Sequence, residues 1–296
     1  MLSELLNIIA PVFIIAGIGF ALEQKGIGFH GETLSRLAMF IGTPCLLFSS
    51  LTKTDLPGQA ILGMGGIAVT AMVITALLAL LLLLALGLPW RTFLPPMSVP
   101  NAGNAGLPLV FFAFGQSGLT LAVAYFIAVS VVQYTVVPVL VSGDMSLRKL
   151  LGQPLVWSLA AVALFRITGA PIPTILAETT DLLSGLMIPV MLLLLGGAMS
   201  RLKIQDARTS VLLAAARLVF ATLVGLGMVA LFGLEGTKAG TVFLLTAMPS
   251  ALITYVIAAH YNQEPERVAG LVASSTIVSF ACLPALITLA IWLSAL

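Results

Sequence analysis

The stretch Ser98-Val-Pro-Asn-Ala-Gly-Asn-Ala-Gly-Leu-Pro-Leu-Val-Phe111 lies between long runs of leucine, alanine, valine and isoleucine, yet it holds two prolines, two glycines and two asparagines. A proline within a helix removes one N–H donor and its ring clashes with the carbonyl four residues back, so Pro100 and Pro108 interrupt the helix twice. Gly103 and Gly106 lower the cost of leaving helical dihedrals between them. Asn101 and Asn104 supply donors and acceptors for freed backbone groups or for a ligand. The pattern predicts two half-helices joined by unwound backbone.

The surroundings say what solvent this break must tolerate. The 296 residues are 60% hydrophobic and 8% charged, with a mean hydropathy of +1.16. Soluble domains are about 45–50% apolar and about 25% charged. Ten apolar runs follow one another at roughly 5–22, 34–51, 60–86, 92–114, 118–142, 150–166, 174–199, 209–232, 239–260 and 267–294, most of them near the ~20 residues a spanning helix needs. The expected fold class is an all-α polytopic membrane protein. A β-barrel is excluded, because its segments would alternate apolar and polar residues. The first run lacks a basic flank and follows Glu4, so it reads as a retained helix and not a signal peptide. Cys45 and Cys282 lie in separate apolar runs and suggest neither a disulfide framework nor a metal cluster. No cofactor, metal or nucleic-acid partner is expected.

Non-helical backbone at membrane depth survives only where protein buries it or water reaches it. The break at Pro100 is therefore a candidate binding site.

Basic residues orient the chain, since Lys and Arg gather in short cytoplasmic loops. Lys25, Arg36, Arg91, Arg148, Lys149, Arg201, Lys203, Arg208 and Arg267 follow odd-numbered runs, against Lys53, Arg166 and Lys238 on the other side. Both termini are expected outside a cytoplasmic, bacterial-type inner membrane.

The two halves of the chain also correspond. Gly26 pairs with Gly169, Pro44 with Pro189, Pro100 with Pro249 and Pro138 with Pro284, each at an offset of 143 to 149 residues. Five runs per half is an odd number, so residues 1–148 and 149–296 form an inverted-topology repeat. The counterpart of the opening stretch is Thr246-Ala-Met-Pro-Ser-Ala-Leu-Ile-Thr-Tyr255. It has one proline and offers the hydroxyls of Ser250 and Thr254 in place of amides. Half-helix ends near the midplane in such repeats face anionic substrate groups.

Two further residues have two readings each. Gln133 in run five either lines a substrate cavity or bridges helices. Arg217 in run eight either attracts a carboxylate substrate or snorkels to the cytoplasmic interface. Glu178 and Asp181, near the start of run seven, read as acids at a helix N-terminus. His30 and His260 read as interfacial.

On Pro100-Asn101, the following Gly106-Leu-Pro-Leu109, Pro249 and the Pro44-Cys-Leu-Leu-Phe-Ser-Ser50 ending of run two, the chain resembles the auxin efflux carrier family, which includes the plant auxin exporters and bacterial malonate and malate permeases. Plant exporters carry an asparagine beside the second crossover proline, where this chain has Ser250. The resemblance implies a scaffold of helices 1–2 and 6–7 (about 5–51 and 150–199), usually dimerising. It also implies a transport domain of helices 3–5 and 8–10 (about 60–142 and 209–294) and elevator-type alternating access. The expected function is transport of a small organic anion, a mono- or dicarboxylate, through Asn101, Asn104, Ser250, Thr254, Gln133 and Arg217. Proton or sodium coupling stays open, the sodium alternative being a symporter of bile-acid-carrier-like architecture. No metalloprotease motif, paired intramembrane aspartates or serine elbow points to an enzyme.

Overall fold

The computed structural model describes residues 2–27, 31–53, 58–143, 152, 154–204 and 206–296. His30, Arg148 and Lys149, and with the last two the boundary between the expected repeats, lie outside the described residues.

Helix occupies every one of the ten apolar runs. The first half contains α1 (Leu2–Gln24), α2 (Gly31–Leu37), a π-helical turn (Ala38–Gly42), α3 (Thr43–Thr52), α4 (Gly58–Ala85), α5 (Trp90–Ser98), a second π-helical turn (Ala102–Gly106) and α6 (Leu107–Ser142). The second contains α7 (Pro154–Thr168), α8 (Thr174–Gly185), α9 (Met187–Arg201), α10 (Ala207–Leu231), α11 (Gly236–Thr246), α12 (Leu252–His260), α13 (Pro265–Ala281) and α14 (Leu283–Ser294). Among the described residues six stretches are long and apolar enough to cross a membrane: Leu6–Gln24, Thr33–Thr52, Gly58–Ala85, Ala102–Val141, Thr174–Arg201 and Ala207–Leu231. The pair α13 and α14, bent by 62°, makes a seventh.

Each interruption has a local cause. Pro44 offers no N–H to the carbonyl of Phe40, and the chain widens into the π turn just before it. Pro189 leaves the carbonyl of Gly185 without its helical donor, and α8 ends there. Pro284 does the same to Phe280 at the bend between α13 and α14. Within α6 the backbone leaves helical geometry at Gly115 (φ 63°, ψ −153°), which divides 107–114 from 116–142 and so separates runs four and five by one residue. Gly26 and Gly169 adopt φ of +62° and +64° just past the ends of α1 and α7, the left-handed C-terminal geometry that glycine takes without a Cβ penalty.

Helices pack in two groups. In the first, α1 lies along α9 at such close approach that a Cβ on Gly196 would overlap the Ala16 carbonyl and one on Gly19 the Leu193 carbonyl. Here α3 packs on α7 and α8. Ser158 donates its hydroxyl to the carbonyl of Pro44 at 2.7 Å, and Arg166 donates to that of Leu51 at 2.7 Å. In the second group α4 packs on α5 and α6, α10 on α13, and α11 on α6 and α14.

Glu178 and Asp181 do not cap α8, since the helix starts at Thr174 and both lie beyond its first turn. Asp181 instead accepts from the hydroxyl of Ser49 at 3.1 Å and pairs with Lys53, tying α8 to the end of α3.

Candidate transport site

The two broken segments meet. The N–H of Asn101 donates to the carbonyl of Pro249 at 2.7 Å and that of Ala251 to the carbonyl of Val99 at 3.1 Å, pairing Pro100 with Ser250 in an antiparallel bridge. Proline breaks orphan backbone groups in each segment, and buried groups must find partners. Here each break supplies the other.

Around this crossing the half-helix ends sort by polarity. The carbonyls at and just past the C-terminal ends of α5 and α11 have no intrahelical donors. Arg217 of α10, only 2% exposed, reaches them. It donates to the carbonyl of Met97, to Val99 at 3.1 Å, to Met248 at 3.0 Å and to Pro249 at 3.3 Å. Arg217 is not among the residues that line the cavity beside the crossing, and its bonds run to main-chain carbonyls within the protein.

The opposite ends of the breaks open on a cavity of about 310 Å³. Asn101, Asn104, Ser130, Gln133 and Tyr134 form its polar side, with Gly103 and the first turn of α12 at Ala251, Leu252 and Ile253. Met39, Met187, Met191 and Leu194 face them from α9 and the π turn before α3, with Ser35 and Thr43 nearby and Phe126 and Val256 adding apolar surface. No lining residue is acidic, basic or histidine.

Much of the polar lining is unspent. Asn101 Oδ1 accepts from the N–H of Asn104 at 3.2 Å, which leaves its NH₂ group without a partner among the described residues. The side-chain amides of Asn104 and Gln133 likewise make no hydrogen bond among the described residues. The Ser130 hydroxyl is buried and unpaired among the described residues. At the start of α12, Leu252 and Ile253 carry N–H groups that no helical carbonyl can accept. The arrangement can therefore receive an acceptor-rich group such as a carboxylate, through amide and main-chain donors without a fixed charge.

Asn101, Asn104, Gln133 and Gly103 thus line one cavity. Ser250 and Thr254 do not join them. Ser250 is fully buried at the crossing, where its N–H donates to the Ser275 hydroxyl at 3.0 Å, and its own hydroxyl is unpaired among the described residues. Thr254 returns its hydroxyl to the carbonyl of Ala251 at 2.6 Å. Pro108 opens α6, while Pro100 and Pro249 make the crossing itself. Gly106 packs against α11: a Cβ there would lie 2.6 Å from Leu245 Cδ2. Sequence reasoning missed Met39 and Met187. Their positions beside the breaks at Pro44 and Pro189 were the available signal, because helix interruptions gather where backbone must be sheltered.

Discontinuous helices that cross beside a cavity, in an apolar multi-pass chain, are the architecture of secondary transporters. Residues 5–144 and 138–293 match the family model described as "Membrane transport protein", and the chain belongs to that family, the auxin efflux carriers. It is similar to an "Uncharacterized transporter" of Methanothermobacter thermautotrophicus, 26% identical over 295 residues, which span 93% of this chain and 95% of the relative.

Proposed function

We propose that this multi-pass membrane transporter carries a small organic anion, a carboxylate, by elevator-type alternating access. The observation that carries the reading is the cavity beside the crossing: unspent amides of Asn101, Asn104 and Gln133 on one wall, methionines on the other, and no charged side chain in its lining. A carboxylate accepts from amides and from half-helix N-termini, where the helix dipole also favours negative charge. The apolar wall suits the uncharged remainder of the substrate. A second carboxylate would be set against Met191 and Leu194, so one charged end is favoured over two.

In this reading ten helices cross an inner membrane with both termini outside. Helices of 5–51 and 150–199 form a scaffold that dimerises, and those of 60–142 and 209–294 carry the substrate. The division is supported by the two packing groups and by the cavity's position between them: its amides belong to the second group and its methionines to the first. Arg217, Ser250 and Thr254 frame the site in this account, and Asn101, Asn104 and Gln133 touch the substrate.

Counterflow of labelled mono- and dicarboxylates into proteoliposomes tests this. Saturable exchange of a monocarboxylate that falls at least tenfold in Asn104→Ala and Gln133→Ala is expected. Exchange indifferent to both substitutions would remove the cavity from the pathway.

A further inference from the structure

Arg217 holds four carbonyls drawn from both broken segments, those of Met97, Val99, Met248 and Pro249. Among the described residues its buried Nε has no partner and no acidic side chain pairs with it. The charge is met by main-chain dipoles instead. Each helix C-terminus carries roughly half a negative charge, so the ends of α5 and α11 together offset one guanidinium. In inverted-repeat transporters, unwound carbonyls and half-helix C-termini are where a coupling sodium ion is coordinated. A hard cation needs those oxygens free, and here they already accept N–H bonds. The other face of the crossing offers a cation no carboxylate, since none lines the cavity.

We propose that the Arg217 guanidinium is a tethered cation standing where a coupling metal ion would otherwise sit, so that the crossing is held together, and substrate is moved, without sodium. Arg217 is thus a positioning residue: it fixes Asn101 and the α12 N-terminus by clamping the carbonyls just before them. The part that concerns flux rests on the transport reading; the part that concerns the clamp does not.

The test separates the two. For the purified full-length protein in detergent, the thermal midpoint is compared in sodium chloride and in choline chloride of equal ionic strength. The wild type should shift by less than about 1 °C, because a ligand stabilises only a state that binds it. Arg217→Ala withdraws the guanidinium from four carbonyls, of which Val99 and Pro249 keep their bonds from Ala251 and Asn101, so its midpoint should fall in choline and recover by several degrees with sodium or with millimolar guanidinium, neither of which moves the wild type. A merely structural arginine would give the fall without the cation-specific recovery. Arg217→Lys keeps the charge and should stay indifferent to sodium, which preserves the test where the alanine variant does not fold. Sodium stabilisation of the wild type or of Arg217→Lys would overturn the proposal, as would an alanine variant with the wild-type midpoint or with no response to any cation. In proteoliposomes, counterflow should be equal within twofold in sodium and choline, and a tenfold sodium dependence with Arg217 in place also overturns it.

Discussion

Asn101 donates its backbone N–H to the carbonyl of Pro249 at 2.7 Å while its side chain caps the N–H of Asn104. One residue therefore closes the crossing with its main chain and organises the cavity with its amide. The two duties can be separated by substitution.

Asn101→Asp keeps the acceptor for Asn104 and replaces the free NH₂ donor with a negative charge. Counterflow of an anion should fall at least tenfold with little change in melting temperature. Asn101→Ala loses the cap as well and should cost about 1 kcal/mol of stability. If thermal melts instead showed Asn101→Asp to be the less stable of the two, the separation of duties would be wrong.

Asn104→Ala removes a side chain with no protein partner among the described residues. Stability should stay within about 0.5 kcal/mol of wild type, so any loss of flux reports on the substrate.

At Gly106 the neighbour is a side chain and can be trimmed. Gly106→Val should destabilise by about 1–3 kcal/mol through overpacking against Leu245, and Leu245→Ala in the same chain should recover part of that loss. Purely additive melting temperatures would show that the contact is not the cause.

Between α1 and α9 the neighbours are carbonyls and cannot be trimmed. Gly196→Leu should abolish recovery of folded protein, as judged by size-exclusion chromatography in detergent. Gly17→Ala, with open space around its Cβ position, should be neutral or stabilising by up to about 1 kcal/mol.

The orientation is checked by labelling with a membrane-impermeant thiol reagent, after Cys45→Ala and Cys282→Ser remove the native thiols. Lys25→Cys should react only from the cytoplasmic side and Lys238→Cys only from outside. The reverse pattern would invert the topology.

What could be read from the sequence followed the cost of leaving things unsatisfied in lipid. An apolar run has to be helical, so all ten runs were legible, and even the boundary at Gly115 fell in the gap between runs four and five. Amides are expensive at that depth, which is why Asn101, Asn104 and Gln133 stood out and do face one cavity. Arg217 was visible but its partners were not: they are main-chain carbonyls, which every residue has, and two of them lie about 120 positions away in the chain. Met39 and Met187 were hidden for the opposite reason, since a methionine facing a cavity and one facing lipid look alike in sequence. Asp181 was misread because distance from the start of an apolar run is a poor guide to the first helical turn, and its partner Lys53 lies in the other half.

The crossing also sets a schedule for biosynthesis. Ribosomes add about 5–20 residues per second, and Pro249 is made long after Pro100 has left the tunnel, on the order of ten seconds later by the same rate. Through that interval the carbonyls of Met97 and Val99 await Arg217, and the N–H of Asn101 awaits Pro249. Until the second half of the chain is made, these groups of the first lack the partners that the crossing gives them.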